Sequence, residues 1–364
     1  MSSHSHLIDE LLMIAHKNSA SDLIVRTGDR IRMRIQGSIV TVPPERVAEP
    51  DRGITIDMIR HLARSLPAQP DIETAQNLDF HYTLAGIAHF RIHVLRTHNN
   101  FGIVARLIPQ QIPDFQTLRL PAVFEDIAQY RNGLILMAGA AGSGKSTSMA
   151  SILNYMIRHR PIHVVTLEDP VEFRYDNNFR GTVSQREIGT DVASYRQGLT
   201  DALRETPDVI VAGEVRGREE IQLALQAAET GHLVMATVHA TTAIGTMQRI
   251  ITSFPQEEQA GIRQRLSENL RAIIVQKLLP MKTGKGRIVA QEIMIANSVI
   301  RHFILDPDHW NDIERAMEEG HHLYGSQSFD QHLRRLVEEE QVSYEHALPH
   351  TVHREDFAMY FGKS

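Results

Sequence analysis

Apolar residues recur at helical spacing at the start of the chain: Leu7, Ile8, Leu11, Leu12, Ile14 and Ala15 share one face and predict an amphipathic helix. Beyond it the period drops to two. Asp22-Leu23-Ile24-Val25 reads as a strand and Thr27-Gly28-Asp29 as a turn, and Ile31, Met33 and Ile35 alternate with Arg32, Arg34 and Gln36 as in a half-buried strand. Gly37-Ser38 turns the chain into another strand-like run at 39–42. Residues 42–53 are rich in proline and charge and predict a loop, followed by a helix near 55–66. Strand-like runs at 78–84, 88–96 and 101–108 follow, with turns at Gly86 and Asn99-Asn100. These elements predict a small α+β domain over residues 1–108.

Residues 109–118, opening with PQQIP, read as a linker. After it, a fully apolar run at 134–138 and further short apolar runs at 163–167, 209–212 and 233–238 are separated by helical stretches such as 194–205 and 218–230. That alternation predicts a mostly parallel sheet covered by helices on both faces. From about residue 256 onward helical patterns dominate, ending at 329–340 and 343–348. The expected organisation is therefore a second, α/β domain over 119–298 and a helical region over 299–364.

One stretch of this pattern carries chemistry. Gly139-Ala140-Ala141-Gly142-Ser143-Gly144-Lys145-Ser146, followed by Thr147, fits G-x-x-x-x-G-K-[ST] and sits between an apolar strand and a helix. Its glycines let backbone N–H groups converge on phosphate oxygens, and the following helix offers its positive end to the same anion. Lys145 then reaches the β- and γ-phosphates of ATP, and the Ser146 hydroxyl ligates Mg²⁺. A random chain of this length would show the pattern roughly once in a hundred, so strand and helix context matter as much as the match. Hydrolysis also needs a metal ligand and a group that orients or deprotonates water. In parallel sheets such groups sit at the carboxyl ends of strands. Glu168-Asp169 occupies one such end, and Glu214, with Gly213 allowing close approach, occupies another.

Composition narrows the class. The chain has 364 residues, 42% apolar and 23% charged, with net charge −6, so it has material for a large core but lacks the basic surplus of most nucleic-acid binders. It has no cysteine, which removes disulfides, thiolate metal sites and cysteine nucleophiles and suits a reducing compartment. No run approaches a membrane span and the N-terminus lacks a signal-peptide layout, so membrane association is expected only through partners. His89, His93 and His98 cluster around one hairpin without an accompanying ligand set and are read as surface residues.

Taken in order, GAAGSGKS (139–146), TLEDPVEF (166–173), DVIVAGEVR (208–216) and AETGHLVMATVHA (228–240) resemble the Walker A, Asp box, Walker B and His box of secretion ATPases. With ASDLIVRTG (20–28), QREIG (185–189) and ALRETPD (202–208), the chain is most similar to the type IV pilus retraction ATPases, the PilT/PilU type, over roughly residues 19–348. The resemblance implies a PAS-like N-terminal domain, a RecA-like P-loop ATPase domain with C-terminal helices, and a hexameric ring. It implies that Glu168 acts on the attacking water, that Glu214 is the Walker B carboxylate beside Mg²⁺, and that His232 and His239 are the His-box pair. It further implies that Arg91 and Arg106 reach the γ-phosphate of a neighbouring subunit. A further arginine of many relatives, near the hairpin between those two, is represented here only by Arg96 beside Asn99-Asn100. VIRHFILD (299–306) stands where retraction ATPases carry AIRNLIRE, and GSQSFDQHL and SYEHAL resemble the PilU side, so the choice between the two branches stays open.

The expected function is a homo-hexameric ATPase motor driving pilus retraction and twitching motility. It would lie in the cytoplasm at the inner membrane, against a platform protein and in company with a paralogous retraction ATPase, without nucleic acid and without direct membrane insertion. A motor of the same fold in type II or type IV secretion or conjugation, and a ring subunit that binds ATP without hydrolysing it, remain the alternatives. Intact Lys145, Glu168 and Glu214 speak against the second, and the lack of cysteines excludes the tetracysteine zinc site of many assembly ATPases.

Overall fold

In the computed structural model, residues 6–35, 37–43, 48–64, 66, 70–108, 111–284 and 286–363 are described. The chain divides into two compact units, Met1–Gln111 and Ile112–Ser364. Part of the expected 42–53 loop (44–47), Ser65 of the expected helix, and Pro109 and Gln110 of the expected linker lie outside the described residues.

In the first unit, helix α1 (Leu7–Lys17) buries Ile8, Leu11, Leu12 and Ala15, the face that the apolar spacing selects. Strands β1 (Ala20–Arg26), β2 (Arg32–Ile35) and β3 (Ser38–Thr41) follow, then α2 (Arg52–Ala63) and strands β4 (Asn77–Leu84), β5 (Ala88–Thr97) and β6 (Asn100–Ile108). They form one antiparallel sheet in the order β3-β2-β1-β6-β5-β4. Helix α2 begins inside the expected loop, because the Asp51 carboxylate caps it by accepting the Ile54 N–H at 2.8 Å. The β5–β6 turn is also one residue earlier than read. Thr97 pairs with Asn100, and His98 and Asn99 form a two-residue turn with φ of 47° and 59°. Positive φ at both central positions is the hairpin geometry that matches strand twist.

In the second unit, α3 (Phe115–Leu118), capped by Asp114, falls within the expected linker. Next come α4 (Val123–Ile127), β7 (Gly133–Ala138), α5 (Lys145–His159), β8 (His163–Glu168), β9 (Thr182–Glu187), α6 (Tyr195–Ala202), β10 (Val209–Ala212), α7 (Arg218–Glu229), β11 (Leu233–Val238), α8 (Ala243–Thr252), α9 (Gln256–Asn269), β12 (Leu270–Pro280) and β13 (Arg287–Ile295). Helices α10 (Ser298–Leu305), α11 (Ile313–Glu319), α12 (His321–Tyr324), α13 (Phe329–Glu338), α14 (Tyr344–Ala347) and α15 (Arg354–Tyr360) complete it. The sheet order is β13-β12-β7-β11-β10-β8-β9, parallel except for β13. Alternate residues of β7 feed two cores: Leu134, Leu136 and Ala138 face one, Ile135 and Met137 the other.

Three strands depart from the sequence reading. β12 and β13 lie where helices were expected, and β9 was not recognised. β12 continues from α9 with no intervening residue, and its central run, residues 272–276, is buried without a break. A strand covered on both faces shows no period of two, so pattern alone does not separate it from a buried helix. Among the described residues no helix is long and apolar enough to cross a membrane.

Candidate nucleotide site

The carboxyl ends of β7 to β12 share one edge of the sheet, and the Gly-rich loop leaves that edge from β7 and enters α5. Gly139, Gly142 and Gly144 have φ of 142°, 76° and 91°. Gly139 has a second constraint, since a Cβ there would stand 2.6 Å from the Gln276 carbonyl oxygen of β12. The loop is thus held against a neighbouring strand, and a side chain at that position would force it away. Lys145 is almost buried and donates from Nζ to the carbonyl oxygens of Gly139 at 2.8 Å and Ala140 at 2.9 Å. Burial pushes its ammonium pKa down, while Glu214 and Glu172 pull it up.

A cleft of about 260 Å³ opens beside this loop. It is lined by Ala141, Gly142, Lys145 and Ser146 and, across it, by Glu168, Glu214 and His239. Gly139, Ala140 and Ser143 border a cavity on another side of the loop, and Gly144 and Thr147 a third.

The two carboxylates come from neighbouring strands, for β8 and β10 pair with Leu167 opposite Ala212. Glu168 is the last residue of β8 rather than the first beyond it. Its Oε1 accepts from Thr166 Oγ1 at 2.7 Å and Gln185 Nε2 at 2.9 Å, and its Oε2 accepts from the Glu172 N–H at 3.4 Å. Burial pushes its pKa up, with the Gln185 and Thr166 bonds opposing. Glu214 follows β10. Arg216 lies 2.6 Å from its Oε2 and His239 Nε2 lies 3.1 Å from its Oε1. Arg216, with His239 and Lys145 behind it, holds the Glu214 carboxyl below the usual range against a smaller opposing effect of burial. Between the two strands, Gly213 does allow close approach: a Cβ there would meet the Leu167 carbonyl oxygen at 2.8 Å.

The two His-box residues do not come together. His239 follows β11 at the cleft, whereas His232 precedes the same strand, up to about 23 Å away at 3.3 Å per residue. The His232 ring contacts the Ala227 carbonyl oxygen at 3.1 Å and Thr230 Oγ1 at 3.2 Å, at the end of α7. Two histidines bracketing a six-residue strand must lie at its opposite ends, which resemblance alone does not reveal.

Arg91 and Arg106 belong to the first unit and face each other directly across β5 and β6. Arg106 Nε donates to Asp22 Oδ1 at 2.8 Å, and Arg91 lies 3.6 Å from Asp79. The Arg106 side chain is 66% exposed although its Asp22 partner is buried. Arg96 bonds the Glu73 carbonyl oxygen and lies over the Phe101 ring. His93 pairs with Asp79 and His89 with Thr83, and among the described residues no group of three or more histidines and carboxylates could hold a metal ion.

Sequence reading left three residues around the carboxylates without a role: Thr166, Gln185 and Arg216. Gln185 was missed with β9, although Val183 and Gln185 lie on alternate-residue spacing in that strand. Arg216 was visible in DVIVAGEVR, two residues after Glu214.

Comparison with known proteins adds to this geometry. A family model described as "Type II/IV secretion system protein" matches residues 2–347. The chain is 36% identical over 342 residues to a Pseudomonas aeruginosa protein named "Type IV pilus retractation ATPase PilT", spanning 93% of this chain and 96% of that one. It is 33% identical over 348 residues to the "Type IV pilus ATPase PilU" of the same organism, spanning 94% and 88%. A crystal structure of the pilus retraction motor PilT with bound ADP superposes with a TM-score of 0.86 at 32% identity, covering 97% of this chain and 98% of that one.

Proposed function

The chain belongs to the type II/IV secretion system protein family, in its PilT/PilU retraction ATPase branch, and we propose that it is an ATP-hydrolysing motor subunit that drives type IV pilus retraction. The observation that carries this reading is one cleft holding Lys145, Ser146, Glu168, Glu214 and His239 at the carboxyl edge of a parallel sheet.

Lys145 would exchange the carbonyl oxygens of Gly139 and Ala140 for β- and γ-phosphate oxygens. Ser146 and Glu214 are hard oxygen donors of the kind Mg²⁺ prefers, and Glu214 is kept ionised by Arg216. When bound there, the ion offsets charge on the phosphates. Glu168 would orient the attacking water and take its proton. His239, bonded to Glu214, would sense the γ-phosphate. His232 would act at a distance, fixing the start of the strand whose far end carries His239.

Arg91 and Arg106 would complete the site in trans. They sit side by side on a sheet that has no phosphate loop, and Arg106 presents an exposed guanidinium. The subunit would then work as a homo-hexamer in the cytoplasm, at an inner-membrane platform protein and alongside a paralogous motor. Specific activity should rise with protein concentration as rings form. Arg106→Ala and Lys145→Ala subunits should each be nearly inactive, with a loss of roughly 10³-fold for a trans arginine. Mixed, they should regain activity, because an intact loop then meets an intact arginine. Full activity in both Arg91→Ala and Arg106→Ala, or no recovery in demonstrably mixed rings, would refute the shared site.

A further inference from the structure

Glu168 has two oxygens, and their surroundings differ. Oε1 receives two short hydrogen bonds, from Thr166 on its own strand and from Gln185 on β9, whereas among the described residues Oε2 receives only a 3.4 Å contact from the Glu172 N–H. Gln185 pairs with Thr166 in the β8–β9 register, so both donors are delivered by the sheet itself. The amide of Gln185 has no freedom to flip. Its Nε2 also donates to the Phe173 carbonyl oxygen at 2.7 Å, and both of its partners are acceptors. Only the NH₂ side can face two acceptors. The same amide therefore ties Glu168 to the loop that carries Phe173, and Phe173 lines the cleft.

From this geometry we infer that Gln185 is a positioning residue for ATP hydrolysis: with Thr166 it holds Oε1 of Glu168, so that Oε2 alone meets the attacking water. The inference rests on the proposed hydrolytic role of Glu168. In the step concerned, the water oxygen forms a bond to the γ-phosphorus and the bond to the β–γ bridging oxygen breaks, its electron pair leaving with ADP. The water proton passes to Oε2. A carboxylate free to rotate would offer either oxygen at changing distance, and small misplacements of a base cost rate steeply. Of the other titratable groups, Lys145, Asp169, Glu172, Tyr175, Tyr195, Glu214 and His239 share the cleft with Glu168, and Glu187 stands opposite it on β9.

The test uses the full-length chain under ring-forming conditions. Gln185→Leu removes the donors at similar volume, and Gln185→Glu keeps the shape but replaces the donor by a second carboxylate. Expected for Gln185→Leu are a kcat lower by about tenfold, an unchanged KM for ATP, and an acidic limb of the kcat–pH profile displaced to higher pH, since Glu168 has lost a bond that favours its ionised form. Gln185→Glu should lose more. In a Glu168→Gln background, Gln185→Leu should add little, because both changes remove one function. A wild-type rate and limb in Gln185→Leu, with Glu168→Gln impaired, overturn the positioning role alone. An equal loss in both backgrounds, or loss of ATP binding in both Gln185 variants, makes Gln185 structural. A wild-type rate in Glu168→Gln overturns the hydrolytic reading itself.

Discussion

Glu168 and Glu214 end adjacent, hydrogen-bonded strands, yet they stand in opposite environments. Glu168 is mostly enclosed and takes its hydrogen bonds from an amide, a hydroxyl and a backbone N–H, and burial drives its pKa up. Glu214 faces Arg216, His239 and Lys145, and Arg216 above all drives its pKa down. A group poised to accept a proton works best when its pKa approaches the operating pH. A metal-side ligand works best when it stays ionised. The contrast teaches that two chemically identical residues on one sheet edge acquire different acidities from what surrounds them, and each environment suits the role proposed for its residue.

Exchanging each carboxylate for its amide separates the roles. Glu168→Gln keeps the shape but cannot take a proton, and turnover should fall about 10²-fold while ATP still binds. Glu214→Gln should cost less, about tenfold, and should raise the Mg²⁺ concentration needed for half-maximal rate, because a neutral amide is a weaker ligand for a hard cation. Steady-state hydrolysis across a Mg²⁺ titration reads both. Equal losses with no change in Mg²⁺ demand would erase the distinction.

Glu292 on β13 sharpens the comparison from outside the cleft. It is more enclosed than Glu168, among the described residues it accepts only the Ala243 N–H, at 3.1 Å, and burial pushes its pKa up to about 7. The folded state then holds a proton that the unfolded chain, with an ordinary value of 4.5, has released. Stability should therefore fall as pH rises from about 4.5 to 7, with the full penalty present above that window. Glu292→Gln should stabilise the protein by about 3 kcal/mol at pH 8, leave it nearly unchanged at pH 4.5, and not alter hydrolysis. Denaturation at the two pH values checks the sign. Burial alone would thus be shown to raise a carboxyl without making it a base.

The legible parts of the molecule were those where local pattern and chemistry coincide. The phosphate loop carries its own geometry, because its glycines are needed where φ is positive and the backbone is crowded. Period-two alternation marked β2 in the sequence, and in β5 it appears as every second residue buried along most of the strand. Where a strand is covered on both sides, as in β12, the alternation vanishes and the segment resembles helix. Strand ends pointed to Glu168 and Glu214, but not to their partners. Gln185 reaches Glu168 only through the pairing of β8 with β9, a contact across 17 residues of sequence. His232 and His239 came to notice only through the resemblance, and the six-residue strand between them sets them at its two ends.

The division of labour between the two glutamates is tested most directly by the pH dependence of kcat in wild type and Glu168→Gln. Because burial raises the Glu168 pKa, the wild-type rate should fall as pH drops through a value above the ordinary glutamate range. In Glu168→Gln the residual rate should be flat across that same window. The same acidic limb persisting in Glu168→Gln would assign the titrating group elsewhere and contradict Glu168 as the base.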